Sequence, residues 1–142
     1  MQLVIGGAFS GKRKIVRERS ETCSWVSAYN GNMVEDWRTQ WLEGTTLVLE
    51  GWEQWIAPSL KKSENNDDIR KEFKALFQTL IEEEEKRNNK IVLIMLDIGK
   101  GIVPVEKDER RIRDIAGWIG QDAAQLAVQV DYVWNGLSRR LK

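Results

Sequence analysis

Apolar and polar positions along this chain fall into two alternating kinds of run. Short apolar blocks read as strands: residues 2–5, Trp25-Val26-Ser27-Ala28, Thr45-Thr46-Leu47-Val48-Leu49-Glu50 and Ile91-Val92-Leu93-Ile94-Met95-Leu96. The last block is continuously apolar and too short for a typical helix, the pattern of a central strand covered on both faces. Between the blocks lie stretches with helical spacing. Residues 12–20 predict a short, strongly charged helix. In 33–43, Trp37 and Trp41 share a face if the stretch is helical. Phe73, Leu76, Phe77, Leu80 and Ile81 form one apolar stripe. Ile112, Ile115, Ala116, Ile119, Ala123, Leu126, Ala127 and Val130 form another, which predicts a helix over 108–130.

The connections follow from the same reading. Residues 51–60 are expected to leave the third strand as a helix or turn ending near Pro58. The polar stretch 61–68, KKSENNDD, reads as an exposed connection, and 98–107, IGKGIVPVEK, as a loop. Asn135-Gly136 between Tyr132-Val133-Trp134 and Leu137 is a hairpin signal. Strands alternating with helices predict one α/β domain over residues 1–142, a mostly parallel sheet with helices on both faces. Ligands of such sheets bind at the C-terminal ends of strands. Three candidate groups fall there: the glycine loop after the first strand, Glu50 and Asp97.

Composition narrows the chemistry. Lysine plus arginine and aspartate plus glutamate both total 22, so no global charge favours nucleic acid or an anionic membrane. No apolar run reaches the roughly 20 residues of a membrane helix, and no signal-peptide pattern precedes the first strand; the cytoplasm is the expected location. A single cysteine, Cys23, forms no intramolecular disulfide and reads as a small apolar residue in or beside a strand. The chain contains no histidine. Histidine metal sites, Ser-His-Asp triads and phosphohistidine or nucleotidyl-histidine intermediates are therefore outside its reach. Lysine, arginine, carboxylates and backbone amides remain.

Other features have plain readings. The run Glu82 to Glu85 is a solvated helix face, with Glu82–Lys86 and Glu83–Arg87 spaced to pair. Of the seven tryptophans, Trp25, Trp118 and Trp134 read as packing residues. Trp52 and Trp55 are placed to line a ligand cleft or to face a neighbouring subunit.

The strongest motif is Gly6-Gly7-Ala8-Phe9-Ser10-Gly11-Lys12 followed by Arg13. It is one residue short of the phosphate-binding pattern G-x-x-x-x-G-K-[ST]. In that pattern glycines let backbone N–H groups curl round phosphate and a helix N-terminus adds positive potential. The lysine reaches the outer phosphates, and a hydroxyl holds Mg²⁺. Here Arg13 replaces the hydroxyl with a fixed cation. Either metal binding is weakened or lost, or Arg13 turns outward and water completes the metal shell. Ser10 offers a hydroxyl inside the loop, and Glu50 is placed to orient a metal-bound water.

The opening loop, the segment LVLEGW and above all DIGKGIVPVEKDERRIRDIAGWIGQDAAQLAVQVDYVW resemble the adenosylcobinamide kinase/adenosylcobinamide-phosphate guanylyltransferase family. The resemblance is most specific from about Asp97 to Asn135, through Gly99, Gly101-Ile102-Val103-Pro104, Arg110, Arg113-Asp114, Gly117, Gln121, Asp131, Val133 and Trp134. It implies a P-loop NTPase-like three-layer sandwich with a C-terminal hairpin, and a homotrimer. It implies phosphorylation of cobinamide by ATP or GTP, then GMP transfer through a guanylylated histidine. By resemblance, Gly6, Gly7, Ala8, Phe9, Ser10, Gly11, Lys12 and Arg13 bind nucleotide, as do Ser27, Ala28, Tyr29 and Glu50. Lys12 is the catalytic candidate and Glu50 the Mg²⁺ candidate. The departures are as informative. The histidine-bearing segment before Asp36 to Gln40 is shortened, Gly120 stands for asparagine, and Asp97 for glutamate. The histidine route to guanylyl transfer is absent. Kinase activity at most, or a degenerate nucleotide-binding or protein-interaction homologue, are the two expectations.

Overall fold

The computed structural model describes residues 1–99 and 103–142. Six strands form one sheet: β1 (Gln2–Gly6), β2 (Cys23–Ser27), β3 (Thr46–Glu50), β4 (Ile91–Leu96), β5 (Gln129–Trp134) and β6 (Leu137–Arg140). Their order is β2-β3-β4-β1-β5-β6, and every neighbouring pair is parallel except β5–β6. The helices are α1 (Lys12–Arg19), the single turn α2 (Trp37–Gln40), α3 (Trp52–Lys62), α4 (Asn66–Arg87) and α5 (Lys107–Leu126). This is the expected α/β architecture with its C-terminal hairpin.

Strand alternation sorts the core into two layers. Leu3, Leu47, Leu49, Leu93 and Met95 face a large cluster built with Trp52, Ile56, Phe73, Phe77, Leu80, Ile115 and Ile119 from α3, α4 and α5. Val4, Val48, Val92 and Ile94 face a smaller cluster closed by Ile15 and Val16 of α1. Helices therefore cover both faces, and β4 is buried from both sides as its continuous apolar run requires. Trp37 and Trp41 both belong to the large cluster, their ring centroids 6.4 Å apart.

The strand read as Trp25 to Ala28 is Cys23–Ser27, the α-helix within 33–43 is confined to Trp37–Gln40, and three further boundaries differ from the sequence reading. First, α3 runs through Pro58 to Lys62. Proline inside a helix removes a hydrogen bond and costs about 3 kcal/mol. Packing of Trp52 and Ile56 offsets that cost, and Arg111 of α5 donates to Leu60 O at 2.9 Å and Ser63 O at 2.7 Å, satisfying late carbonyls of α3. Second, the 61–68 connection shrinks to Ser63–Asn65, because Asn65 caps α4 by accepting from Asp67 N and Asp68 N. Third, α5 stops at Leu126, and Val130 lies in β5. Ala127 is extended, Val128 N donates to Met1 O, and β5 pairs with β1. Ala127 and Val130 stay buried, so the stripe continues across the change from helix to strand.

Smaller readings resolve similarly. Glu83 pairs with Arg87 and also with Lys86, in place of Glu82. Asn135 at φ 49° and Gly136 at φ 74° make the two-residue hairpin turn. Gly101 and Ile102, part of the expected 98–107 loop, lie outside the described residues. Among the described residues no helix is long and apolar enough to cross a membrane.

Candidate functional site

β1 ends at Gly6, and the chain turns through Gly7–Gly11 into α1. The turn is closed tightly against the C-terminal hairpin. A Cβ on Gly6 would lie 2.3 Å from Val133 O and 2.8 Å from Ser10 Oγ, so no other residue fits there. Gly136 N donates to Ser10 O at 2.8 Å, bracing the loop from the hairpin side. Gly11 sits at φ 99° at the start of α1 and carries no side chain to cap it. The first-turn N–H groups of α1 are thus left to solvent or a ligand. Phe9 holds φ 55° and is fully exposed at the loop crest.

The loop borders a cleft of about 710 Å³ at the C-terminal ends of β3 and β4. Ala8, Phe9, Ser10, Gly11, Lys12 and Arg13 line it, with Tyr29, Glu50, Gly51, Glu53, Ile94 and Leu96 opposite and Lys14 and Arg17 along α1. Four cationic and two acidic side chains therefore meet in its wall. No acidic residue occupies the first turn of α1; Lys12, Arg13 and Lys14 stand there instead. Cations at that end oppose the helix dipole, a local conflict that an anion relieves.

Lys12 folds back over its own loop. Its Nζ donates to Gly7 O at 2.5 Å and Gly6 O at 3.1 Å, with Ser10 Oγ at 3.5 Å. Burial lowers the Lys12 ammonium's hold on its proton, and the carboxylates of Glu53, Glu50 and Asp97 work against that. Arg13 points across the cleft. Its Nε donates to Glu50 Oε2 at 2.8 Å and its Nη2 to Glu50 Oε1 at 2.5 Å. This two-bond fork strengthens the guanidinium's hold on its proton. Glu50 is buried at the end of β3, while about half of Arg13 is exposed. The Arg13 guanidinium also lies 5.9 Å from the centre of the Tyr29 ring. Tyr29 Oη donates to Glu53 Oε1 at 2.5 Å, and burial, above all, pushes the phenol's pKa up.

The sequence-derived candidates separate into two groups. Ala8 to Arg13, Tyr29 and Glu50 converge on the cleft; Gly6 and Gly7 shape the loop behind it. Ser27 and Ala28 do not line it. Ser27 is buried beside Glu50 in the β2–β3 register, and Ala28 packs under Gly51, where a Cβ would meet Ala28 Cβ at 2.8 Å. Asp97 closes a second contact across β1, accepting from Tyr132 Oη at 3.1 Å. Trp52 is buried in the core against Phe73 and Phe77, and Trp55 Nε1 donates to Asn32 O; neither lines the cleft. The positive-φ turn at Gly51 starts α3 with Trp52 on its inner face.

Lys14, Arg17 and Glu53 are site residues that the sequence reading passed over. A signal existed for each: cations at 14 and 17 share a face of α1, and Glu53 follows Glu50 across one glycine turn.

A magnesium ion at Glu50 was the sequence expectation. The donor set fits it poorly. Both carboxylate oxygens of Glu50 accept from Arg13, Glu53 accepts from Tyr29, and the side chain after Lys12 carries a guanidinium in place of a hydroxyl oxygen.

Residues 17–141 match the family model described as cobinamide kinase / cobinamide phosphate guanyltransferase. The chain belongs to this family. The match begins after the glycine loop, so the loop's role rests on its own geometry. Two similar proteins are each named bifunctional adenosylcobalamin biosynthesis protein CobU. The Escherichia coli protein is 37% identical over 68 residues, 48% of this chain and 38% of the relative. The Salmonella typhimurium protein is 32% identical over 90 residues, 63% of this chain and 45% of the relative. The aligned stretches thus span less than half the length of either relative.

Proposed function

We propose that the cleft binds the phosphate chain of ATP or GTP, and that of the family's two reactions only the kinase step, phosphoryl transfer to cobinamide, is within this chain's chemistry. The observation that carries the reading is Lys12 at the start of α1, in the wall of a cleft at the strand ends. Phosphoryl transfer relies on positioning and charge neutralisation and needs no covalent nucleophile on the protein. Lys12 is already partly stripped of water and held by weak acceptors, the carbonyls of Gly6 and Gly7. Phosphate oxygens are better acceptors for an ammonium and would draw it into the cleft. The amides of the loop and of the first turn of α1 supply further donors. The guanylyl step through histidine is not open to a chain without that residue.

A second reading, nucleotide binding without turnover, is favoured by one observation: Arg13 engages both oxygens of Glu50. Incubation of cobinamide with γ-labelled ATP or GTP separates the readings. Label on cobinamide supports the kinase. Saturable nucleotide binding with no transfer supports the second reading. Absence of both overturns the assignment of the cleft.

A further inference from the structure

The donor set beside the loop does not suit a divalent cation, yet the cleft is built for anionic oxygen. The geometry points to Arg13, clamped by Glu50, as a built-in replacement for the metal: the cleft takes a nucleoside di- or triphosphate in its metal-free form. This rests on the nucleotide-binding reading above.

Four observations converge on it. The Arg13–Glu50 fork fixes the guanidinium in one orientation at the cleft wall. A planar guanidinium held on one edge by a carboxylate still presents N–H groups on another, the geometry that grips phosphate oxygens. Of its five N–H bonds two go to Glu50, and Nη1 has no hydrogen-bond acceptor among the described residues. Tyr29 backs the guanidinium from the side, its ring centre 5.9 Å away and its hydroxyl fixed on Glu53. Lys12, Lys14 and Arg17 add positive charge along the same wall.

A magnesium–nucleotide complex meets the opposite situation. Its cation would approach a fixed guanidinium, and the buried carboxylate that should receive it is already engaged. Coordination by Glu50 requires breaking a two-bond ion pair. Metal therefore competes with Arg13 for the phosphate oxygens and adds nothing to binding. The remaining positive charge suits partial neutralisation of the phosphate chain without a metal.

Calorimetric titration of GTP and of ATP into the wild-type protein, once in excess EDTA and once in excess Mg²⁺, tests this. The expected result is an affinity in EDTA equal to, or tighter than, that in Mg²⁺. Binding more than about threefold tighter in Mg²⁺ overturns the inference and leaves the nucleotide-binding reading standing. Absence of binding under both conditions overturns that reading and the inference with it. Arg13→Ser, which restores a hydroxyl and frees Glu50, is expected to make binding depend on Mg²⁺ by about tenfold or more. A folded Arg13→Ser protein that still ignores Mg²⁺ overturns the role given to Arg13. Should that variant fail to fold, the wild-type comparison decides alone.

Discussion

Arg13 grips Glu50 through two hydrogen bonds, at 2.8 and 2.5 Å, joining the first turn of α1 to the end of β3. The partners are unequally exposed: about half of Arg13 is open to solvent, and almost none of Glu50. Removing one is therefore unlike removing the other. Arg13→Ala strands a buried carboxylate and is expected to cost about 1–3 kcal/mol of folding stability. Glu50→Gln leaves an amide that still accepts from a guanidinium free to reach water, and is expected to cost less than about 1 kcal/mol. Urea unfolding of both variants checks the asymmetry; equal losses would contradict it.

Lys12 gives the protein a pH signature. Burial holds its pKa in the folded state below the ordinary 10.5. Between that lowered value and the ordinary one the unfolded chain binds more protons, so this residue's contribution to stability rises with pH across the window. Lys12→Met is expected to flatten that alkaline rise, measured as denaturant midpoints at increasing pH. Phosphate favours the charged ammonium, so nucleotide affinity is expected to fall across the same window.

Gly6→Ala tests the seam between the loop and the hairpin. The added methyl meets the Val133 carbonyl, which belongs to the backbone of β5 and yields little. A loss of about 2–3 kcal/mol is expected, with the glycine loop displaced from Gly136. Thermal unfolding and amide exchange at Gly136 report it; an unchanged melting temperature would rule the close packing out.

Arg111 ties α5 to the end of α3 through Leu60 O and Ser63 O, and to the start of α4 through Asn66 Oδ1. Arg111→Ala is expected to cost about 1–2 kcal/mol and to fray α3 beyond Pro58. Hydrogen exchange at Leu60 to Lys62 should rise ahead of exchange in β4. Uniform exchange along α3 would show that Pro58 needs no such support.

Much of the fold was legible because local pattern and tertiary role agree. The β4 run is apolar throughout since helices cover both its faces, and Asn135-Gly136 marks the hairpin through backbone preference alone. The α5 boundary was not legible: Ala127 and Val130 remain buried after the helix ends, so apolar spacing carries straight on. Pro58 misled for a related reason, since the donor that supports the helix past it, Arg111, lies far along the chain. At the site, Gly6, Gly11 and Lys12 were readable from spacing, and Glu50 from its place at a strand end. The bond between Arg13 and Glu50 was not, because it depends on α1 and β3 being brought together by the sheet. Trp52 and Trp55 beside Glu50 read as cleft or subunit-facing residues, but the turn at Gly51 puts Trp52 in the core and neither residue lines the cleft.

The central claim is that the glycine loop and Lys12 hold a nucleotide's phosphate chain. Titration calorimetry of GTP into wild-type and Lys12→Ala proteins tests it most directly. One saturable site in the wild type, weakened about a hundredfold or more in a folded Lys12→Ala variant, is the expected result. No heat with the wild type, or equal affinity in the two proteins, would contradict it.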